Sequence, residues 1–380
     1  MPELKNLSEA ALRIKKAAAE NEKIIIYADS DADGVCSAVI VQEAIKSLGG
    51  NIEMVLFPNR EEDGYGINAR ALELVKGKDP ALFITLDLGI SNNKEIAALN
   101  DMGFEVIVVD HHQPPDTLPP ASIIVDPKQP GDESGLIHLA NVGLAFILAE
   151  ELLGKDFSVT QRVNFLELTA LATISDMVPQ VKENIGYIQD GLRSLPKSFR
   201  PGLSAFFAAL PPADPQTHMK IIGAINAAES VDFKNAAFTL LTTSSAAEAQ
   251  EMVENLLGRV RQKQMRIESI VQEVERRIAA QPSQAIIFEG DPAWKLVLAG
   301  PVSSIIASKH SKPTFIYRKM DTESCGSVRS LKEGENSVDA MKTCADILIT
   351  YGGHPKASGF RVANENLEEF KKRLIEYFSR

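Results

Sequence analysis

The chain has 380 residues, which at roughly 150 residues per domain predicts two or three domains. Its 40 basic and 51 acidic side chains leave a net charge of −11, and 44% hydrophobic with 24% charged residues excludes a disordered, collagen-like or coiled-coil chain. Cys36, Cys325 and Cys344 form no C-x-x-C pair, which excludes a zinc ribbon or disulfide framework and fits a reducing cytoplasm; no apolar run approaches the roughly 18 residues of a membrane-spanning helix.

The N-terminal stretch has no secretory-signal core and reads as a polar amphipathic helix. Short apolar runs follow at Lys23–Ala28, Ile52–Phe57, Ala81–Leu86, Glu105–Val109 and Ser122–Val125. Helical stretches at Ser37–Leu48, Asn68–Val75 and Asn93–Met102 separate them. This alternation predicts an α/β fold with a parallel sheet covered on both faces. From Val142 to about Leu241 the pattern turns helical, with Leu166–Ser175 as a buried helix and Pro201 to Pro215 as a connection. Ser244–Ala280 contains no proline and predicts one long helix, an arm joining two bodies rather than a core element. Strand-like runs return at Ala285–Phe288, Lys295–Leu298 and Thr314–Tyr317 and predict a second, smaller α/β domain. Trp294, beside one of them, is expected in a core.

Ligands of open parallel sheets sit beyond the carboxyl ends of the strands. The acidic residues of this chain collect there. Lys23–Ala28 leads into Asp29-Ser-Asp31-Ala-Asp33-Gly34, Ala81–Leu86 into Asp87-Leu-Gly89, Glu105–Val109 into Asp110-His111-His112, and Ser122–Val125 into Asp126. One aspartate at a strand end is ordinary turn chemistry. Four such ends on one sheet edge, with two histidines, predict a metal site. Oxygen donors with imidazole and without thiolate suit Mn²⁺ or Mg²⁺, and so many carboxylates call for two divalent cations. A calcium loop also begins D-x-D-x-D-G, but here a strand precedes it and its twelfth position is Ile40. A haloacid-dehalogenase-like site would leave Asp110-His111-His112 unexplained.

Asp29-x-Asp31-Ala-Asp33-Gly34, Asn59-Arg60 with Asp63-Gly64-Tyr65-Gly66, Asp87-x-Gly89-Ile90-Ser91, Asp110-His111-His112 and Ser175-Asp176-Met177-Val178-Pro179 occur in one order. This series resembles the DHH-family phosphoesterases, and in detail their RecJ-like branch of single-strand-specific exonucleases. Cys325-Gly-Ser-Val-Arg329-Ser330 and Gly352-Gly353-His354 through Gly359 resemble the DHH-associated substrate domain. The resemblance implies a catalytic domain over 1–243 (helical from about 142), a connecting helix over 244–282 and a DHH-associated domain over 283–380. It implies Asp29, Asp31, Asp87, His111 and Asp176 as metal ligands, with Asp87 bridging and Asp33 a ligand or a group behind the ligands. It further implies that His112 faces the substrate phosphate and that Asp110 orients an imidazole. Arg60, Tyr65, Arg329, Gly352, Gly353 and His354 are the implied substrate contacts.

The implied activity is metal-dependent hydrolysis of single-stranded DNA or RNA from an end, in DNA repair, recombination or replication. Two alternatives stand beside it. One is a phosphodiesterase for short oligonucleotides or cyclic dinucleotides, favoured by the missing counterpart of the OB-fold found in long bacterial relatives. The other is a replication scaffold that binds a partner such as GINS. Two departures stand out: Glu229-Ser230 follows Asn226-Ala-Ala228 where the family carries Gly-Arg, which removes a phosphate contact, and Tyr27-Ala28 stands where many relatives have a histidine, which leaves one metal with fewer protein ligands. The acidic balance does not exclude a nucleic-acid substrate. Residues 283–380 hold 14 basic and 12 acidic side chains, and bound cations would offset part of the remaining negative charge. The expected salt dependence of substrate binding is therefore shallow.

Overall fold

The computed structural model describes residues 3–211, 214–280, 284–332 and 334–379. The predicted junction at 281–283 and two residues of the predicted Pro201–Pro215 connection, 212 and 213, lie outside them. The chain divides into two compact units, Met1–Val260 and Arg261–Arg380.

The first unit begins α1 (Leu7–Ala19), β1 (Lys23–Ala28), α2 (Ala32–Ser47), β2 (Asn51–Leu56), α3 (Ala69–Val75), β3 (Ala81–Leu86), α4 (Asn93–Asp101), β4 (Phe104–Val109) and β5 (Ile123–Val125). The five strands are parallel, in the order β2-β1-β3-β4-β5. β3 is buried at every position and β1 at all but Lys23, so their continuous apolar runs match burial on both faces. Ile24, Ile26, Leu82 and Ile84 pack towards α1 and α2, while Ile25, Tyr27 and Phe83 pack towards α3 and α4. After β2 the chain crosses to the other side of β1 to form β3. That reversal leaves a crevice beyond the carboxyl ends of β1 and β3. Asp29 and Asp87 are the residues that follow those two strands.

The helical part continues with α5 (Asn141–Leu153), α6 (Val159–Ser175), α7 (Lys182–Ser194), α8 (Pro201–Ala209) and α9 (Thr217–Ile225), then a hairpin of β6 (Ser230–Val231) and β7 (Lys234–Asn235), and α10 (Ala236–Thr242). The expected connection from Pro201 is in fact a helix over its first nine residues. Pro201 occupies the first turn, where its missing N–H removes no helical bond.

α11 (Ala246–Ala279) is the expected long helix, of 34 residues. It is more than an arm. Ala249, Val253 and Leu256 join the core of the first unit, and Ile267, Ile270 and Val274 join a core of the second. Each set has the i, i+3/i+4, i+7 spacing of a buried helical stripe.

The second unit adds β8 (Ile287–Asp291), α12 (Leu296–His310), β9 (Thr314–Lys319), β10 (Glu323–Arg329), α13 (Ser337–Lys342), β11 (Leu348–His354), β12 (Ala357–Ala363) and α14 (Leu367–Phe378). Its sheet runs β11-β12-β10-β9-β8, antiparallel except for the β8–β9 pair. The strand expected at Lys295–Leu298 is instead the start of α12. Its apolar run continues through Val302 and Ile306, which are buried at helical spacing with Pro301 accommodated inside. Trp294 is buried, as expected, and Arg277 lies 5.0 Å from its ring centroid.

Candidate metal centre

The β1–α2 loop is built to expose carboxylates. Asp31 is the N-cap of α2, accepting from the N–H groups of Asp33 at 3.0 Å and Gly34 at 3.1 Å. Such a cap contributes about 1 kcal/mol to the helix. A side chain at Gly34 would lie 2.3 Å from the Asp29 carbonyl oxygen, so only glycine lets α2 start this close to β1. Asp33 points the other way, into the first turn of α5, where it accepts from Asn141 N at 2.8 Å and Val142 N at 2.7 Å. It is thereby fixed by two backbone donors at a helix N-terminus.

Asp110 organises the β4 end. Its Oδ2 accepts from Ile90 N at 3.0 Å, and its Oδ1 takes His111 N at 2.8 Å and the His112 Nδ1 proton at 2.7 Å. Burial opposes charge on the His112 ring, but the Asp110 bond and charge outweigh it and raise its pKa. His111 behaves oppositely. Burial and the neighbouring His112 lower it to about 4, so the ring is neutral at pH 7. Its Nδ1 lies 3.1 Å from the Leu139 carbonyl and donates to it. Nε2 is left with a lone pair, and it faces Asp87 Oδ1 at 3.3 Å, Asp176 Oδ2 at 3.7 Å and Asp33 Oδ2 at 3.8 Å.

That arrangement tests the metal reading. A lone pair and three carboxyl groups converge with no N–H group or cation pointing between them, and both His111 Nε2 and Asp87 Oδ1 are buried without a hydrogen-bond partner. Burial and neighbouring carboxylates push Asp33 and Asp87 well above the usual range and Asp176 up to about 6. A divalent cation held there would relieve this repulsion and satisfy the orphaned atoms. Three sets of donors lie within 4.8 Å of one another: Asp29, Asp31 and Asp87; Asp87, His111 and His112; Asp33, His111 and Asp176. Asp87 and His111 each belong to two of these sets. The Asp87 backbone lies at φ 63, a conformation that aspartate tolerates better than most residues.

The structure thus gathers Asp29, Asp31, Asp33, Asp87, Asp110, His111, His112 and Asp176 at one sheet edge, with Arg60 and Tyr65. Arg60 does not point away towards solvent. Its Nε donates to Asp29 Oδ1 at 2.7 Å, and its Nη2 to Asp29 Oδ2 and, at 2.9 Å, to Asp31 Oδ2. Burial works against Asp31 ionising, yet Arg60 and the helix N–H groups lower its pKa. Asp29, more deeply buried and beside Asp31, stays raised. The Tyr65 hydroxyl donates to the Asp87 carbonyl at 3.1 Å, and its ring meets His112 edge-on at 5.7 Å.

Arg329, Gly352, Gly353 and His354 group separately, on the sheet of the second unit. Arg329 pairs in register with Ala357, and Ala357 with His354, so small residues floor the space between the arginine and the histidine. Arg329 donates to Ser304 Oγ at 3.1 Å and to the Val328 carbonyl, and has no carboxylate partner among the described residues. Gly353 has φ 125, and a side chain there would meet the Ala357 carbonyl at 2.7 Å.

Sequence reasoning gave no role to two supporting residues. Asn226 accepts from Ala32 N at 2.9 Å and donates to Ser175 Oγ at 2.8 Å, joining the Asp31–Asp33 loop to the Asp176 helix end. Lys128 Nζ donates to the His111 carbonyl. The Asn226-Ala-Ala228 motif was the available signal for the first; no pattern marked the second.

The comparisons agree with this geometry. Residues 23–173 match the DHH family, N-terminal domain. The single-stranded-DNA-specific exonuclease RecJ of Bacillus subtilis is 32% identical over 98% of this chain and 48% of its own length. A crystal structure of exonuclease RecJ bound to manganese superposes with a TM-score of 0.82 at 30% identity, covering 100% of this chain and 95% of that one. The chain belongs to the RecJ branch of the DHH family. RecJ of Thermus thermophilus in complex with Mn²⁺ gives a TM-score of 0.83 at 29% identity, covering 99% of this chain and 55% of that one. The chain therefore spans about half the length of the curated RecJ proteins of Bacillus subtilis and Thermus thermophilus. Among the described residues, no helix is long and apolar enough to cross a membrane.

Proposed function

We propose that this chain is a metal-dependent exonuclease that hydrolyses single-stranded nucleic acid from an end. The observation that carries the proposal is the neutral His111, whose buried Nε2 lone pair faces three carboxyl groups and has no hydrogen-bond partner. Asp29, Asp31, Asp33, Asp87, His111 and Asp176 would hold two divalent cations, Mn²⁺ before Mg²⁺. This is in keeping with relatives crystallised with Mn²⁺ and with Mg²⁺. When bound, such cations polarise a phosphate and lower the pKa of water towards neutrality.

The chain's own residues do the rest. Asp110 fixes the His112 ring through Nδ1 and favours its charged form, so a half-exposed imidazole stands beside the cluster, suited to a phosphate oxygen. Arg60 balances Asp29 and Asp31 at the rim, where its guanidinium also suits a phosphate. In the second unit, Arg329 lacks an internal counter-ion, and Gly352, Gly353 and His354 lie along one strand near it. These four form the substrate-anion surface. The family likeness favours single-stranded DNA over the small-substrate and scaffold readings. Three buried free cysteines suit a cytoplasmic setting. Nothing in the fold or the relatives points to a GINS partner.

The test is an assay with Mn²⁺ and end-labelled single strands of graded length. Wild type should shorten a 20-mer, and Asp31→Ala and His111→Ala should not, while both keep a cooperative thermal transition. Cleavage of dinucleotides alone would transfer the chain to the small-substrate class. Near-normal activity in either variant would remove the assigned centre.

A further inference from the structure

Apart from the carboxylate cluster, the first unit holds a cavity of about 290 Å³ at the open edge of its sheet, against β2. α2 contributes Gln42 and Lys46, one turn apart on the same face. Met54, Phe57, Lys234 and Phe238 complete the part that matters, with the Phe57 and Phe238 rings 5.0 Å apart.

Two features of this wall call for a ligand. Gln42 is only 6% exposed, yet its amide makes no hydrogen bond among the described residues. What little of Gln42 is exposed lies in the cavity it lines, so its amide is open to a ligand entering there. Lys46 and Lys234 are exposed at the rim, and neither has an ion-pair partner among the described residues. The one carboxylate in the lining, Glu53, is taken by Lys78 at 3.1 Å. The wall thus offers one aromatic face, that of Phe238 backed by the buried Phe57, an amide with free donor and acceptor, and two free ammonium groups. These match a flat ring with a hydrogen-bonding edge and an attached anion.

We propose that this cavity binds a nucleoside monophosphate, with the base edge on Gln42, the base face against Phe238, and the phosphate between Lys46 and Lys234. Glutamine is suited to pair with a base edge through both amide atoms. The volume lies at the small end for ligand sites, enough for a base with its phosphate at the mouth. β-Strand addition by a peptide fits less well, because the register of β2 against β1 shifts between Ile24 and Ile25, and such a bulge twists an edge away from pairing.

The cavity also has a route to the metal loop. Asn235 lines it, caps α10 through Ala237 N and Phe238 N, and places its Nδ2 3.4 Å from the Ser30 carbonyl. Ser30 lies between Asp29 and Asp31. A nucleoside monophosphate is also what end-directed hydrolysis releases. That link to product rests on the function proposed above, while the binding itself does not.

Calorimetry of the full chain in EDTA, with dAMP as probe, tests the site apart from any turnover. Saturable binding at about millimolar or tighter is expected. Deoxyadenosine and inorganic phosphate should each bind at least about tenfold more weakly. Lys46→Glu with Lys234→Glu, both surface changes, should abolish binding without lowering Tm, and Gln42→Leu should weaken it. Asp31→Ala should leave it intact. No saturable dAMP binding, binding that survives the double lysine variant, phosphate binding as tight as dAMP, or loss of binding in Asp31→Ala would each overturn the proposal. If dAMP binds as expected while no strand is cut, the exonuclease reading fails and this one stands.

Discussion

The two sheets handle charge in opposite ways. At the carboxyl edge of the first, six carboxylates and two imidazoles crowd together, and most of their polar atoms are already held by backbone or side-chain donors. What is missing there is positive charge at His111 Nε2 and Asp87 Oδ1. On the second sheet the surroundings are small residues and glycines, and the isolated charge is Arg329, which burial makes less basic. One region is an anionic cage needing cations; the other keeps a cation needing an anion. On the proposed function, chemistry belongs to the first region and substrate capture to the second, and kinetics should separate them.

The largest expected effect is at the cage. Asp31→Asn should lower kcat by at least about a thousandfold, with Mn²⁺ binding by calorimetry lost or greatly weakened. Arg329→Ala should act on the other side of the comparison. It is expected to raise KM about ten- to a hundredfold while kcat stays within a fewfold, and Arg329→Lys should restore only part, since the planar fork is gone. A kcat loss as large as the KM gain would merge the two regions into one catalytic unit. Asn226→Ala should weaken Mn²⁺ binding about tenfold, in line with other residues that orient metal ligands. Ser175→Ala should add little on top of it, because both cut the same link.

The smallest effect is on stability. Asp126 is fully buried, with Oδ2 unpartnered, and burial raises its pKa to about 7 from an ordinary 3.8. The folded state then holds this proton more tightly than the unfolded chain does. Its contribution to stability is present below about pH 4 and is lost as the pH rises to about 7. Asp126→Asn should leave Tm unchanged at pH 4 and raise stability by on the order of 2 kcal/mol at pH 8. An equal gain at both pH values would show that packing, not ionisation, was altered.

Much of this was legible in the chain. β1 and β3 were readable because strands buried on both faces appear as unbroken apolar runs, and the aspartates after them mark the place where strand order reverses. The DHH segment was legible as a motif, and its division into a neutral His111 and a proton-bearing His112 was not. That division depends on the Leu139 carbonyl, contributed by a segment 28 residues away. Asn226 was hidden for the same reason, since its partner Ala32 is 194 positions distant. Arg60 was visible as a cation but not in its direction, which the buried charge of Asp29 decides. β10 to β12 escaped as strands because Cys325-Gly-Ser and Tyr351-Gly-Gly have little strand propensity; their pairing comes from the sheet itself. α8 escaped because proline suggested a connection, although Pro201 sits where a helix begins, and α12 escaped because the short apolar run Lys295–Leu298 reads equally as a strand.

Asp87 carries a consequence for the descent of such chains. Its left-handed backbone costs most residues about 1–2 kcal/mol but is open to glycine, and to asparagine as readily as to aspartate. The position thus constrains shape and chemistry independently. A lineage that abandoned the reaction could exchange Asp87 for asparagine or glycine in a single step and keep its sheet. Any bulkier replacement would lose stability together with chemistry. Retired copies of this fold should therefore be recognisable by asparagine or glycine at this one place.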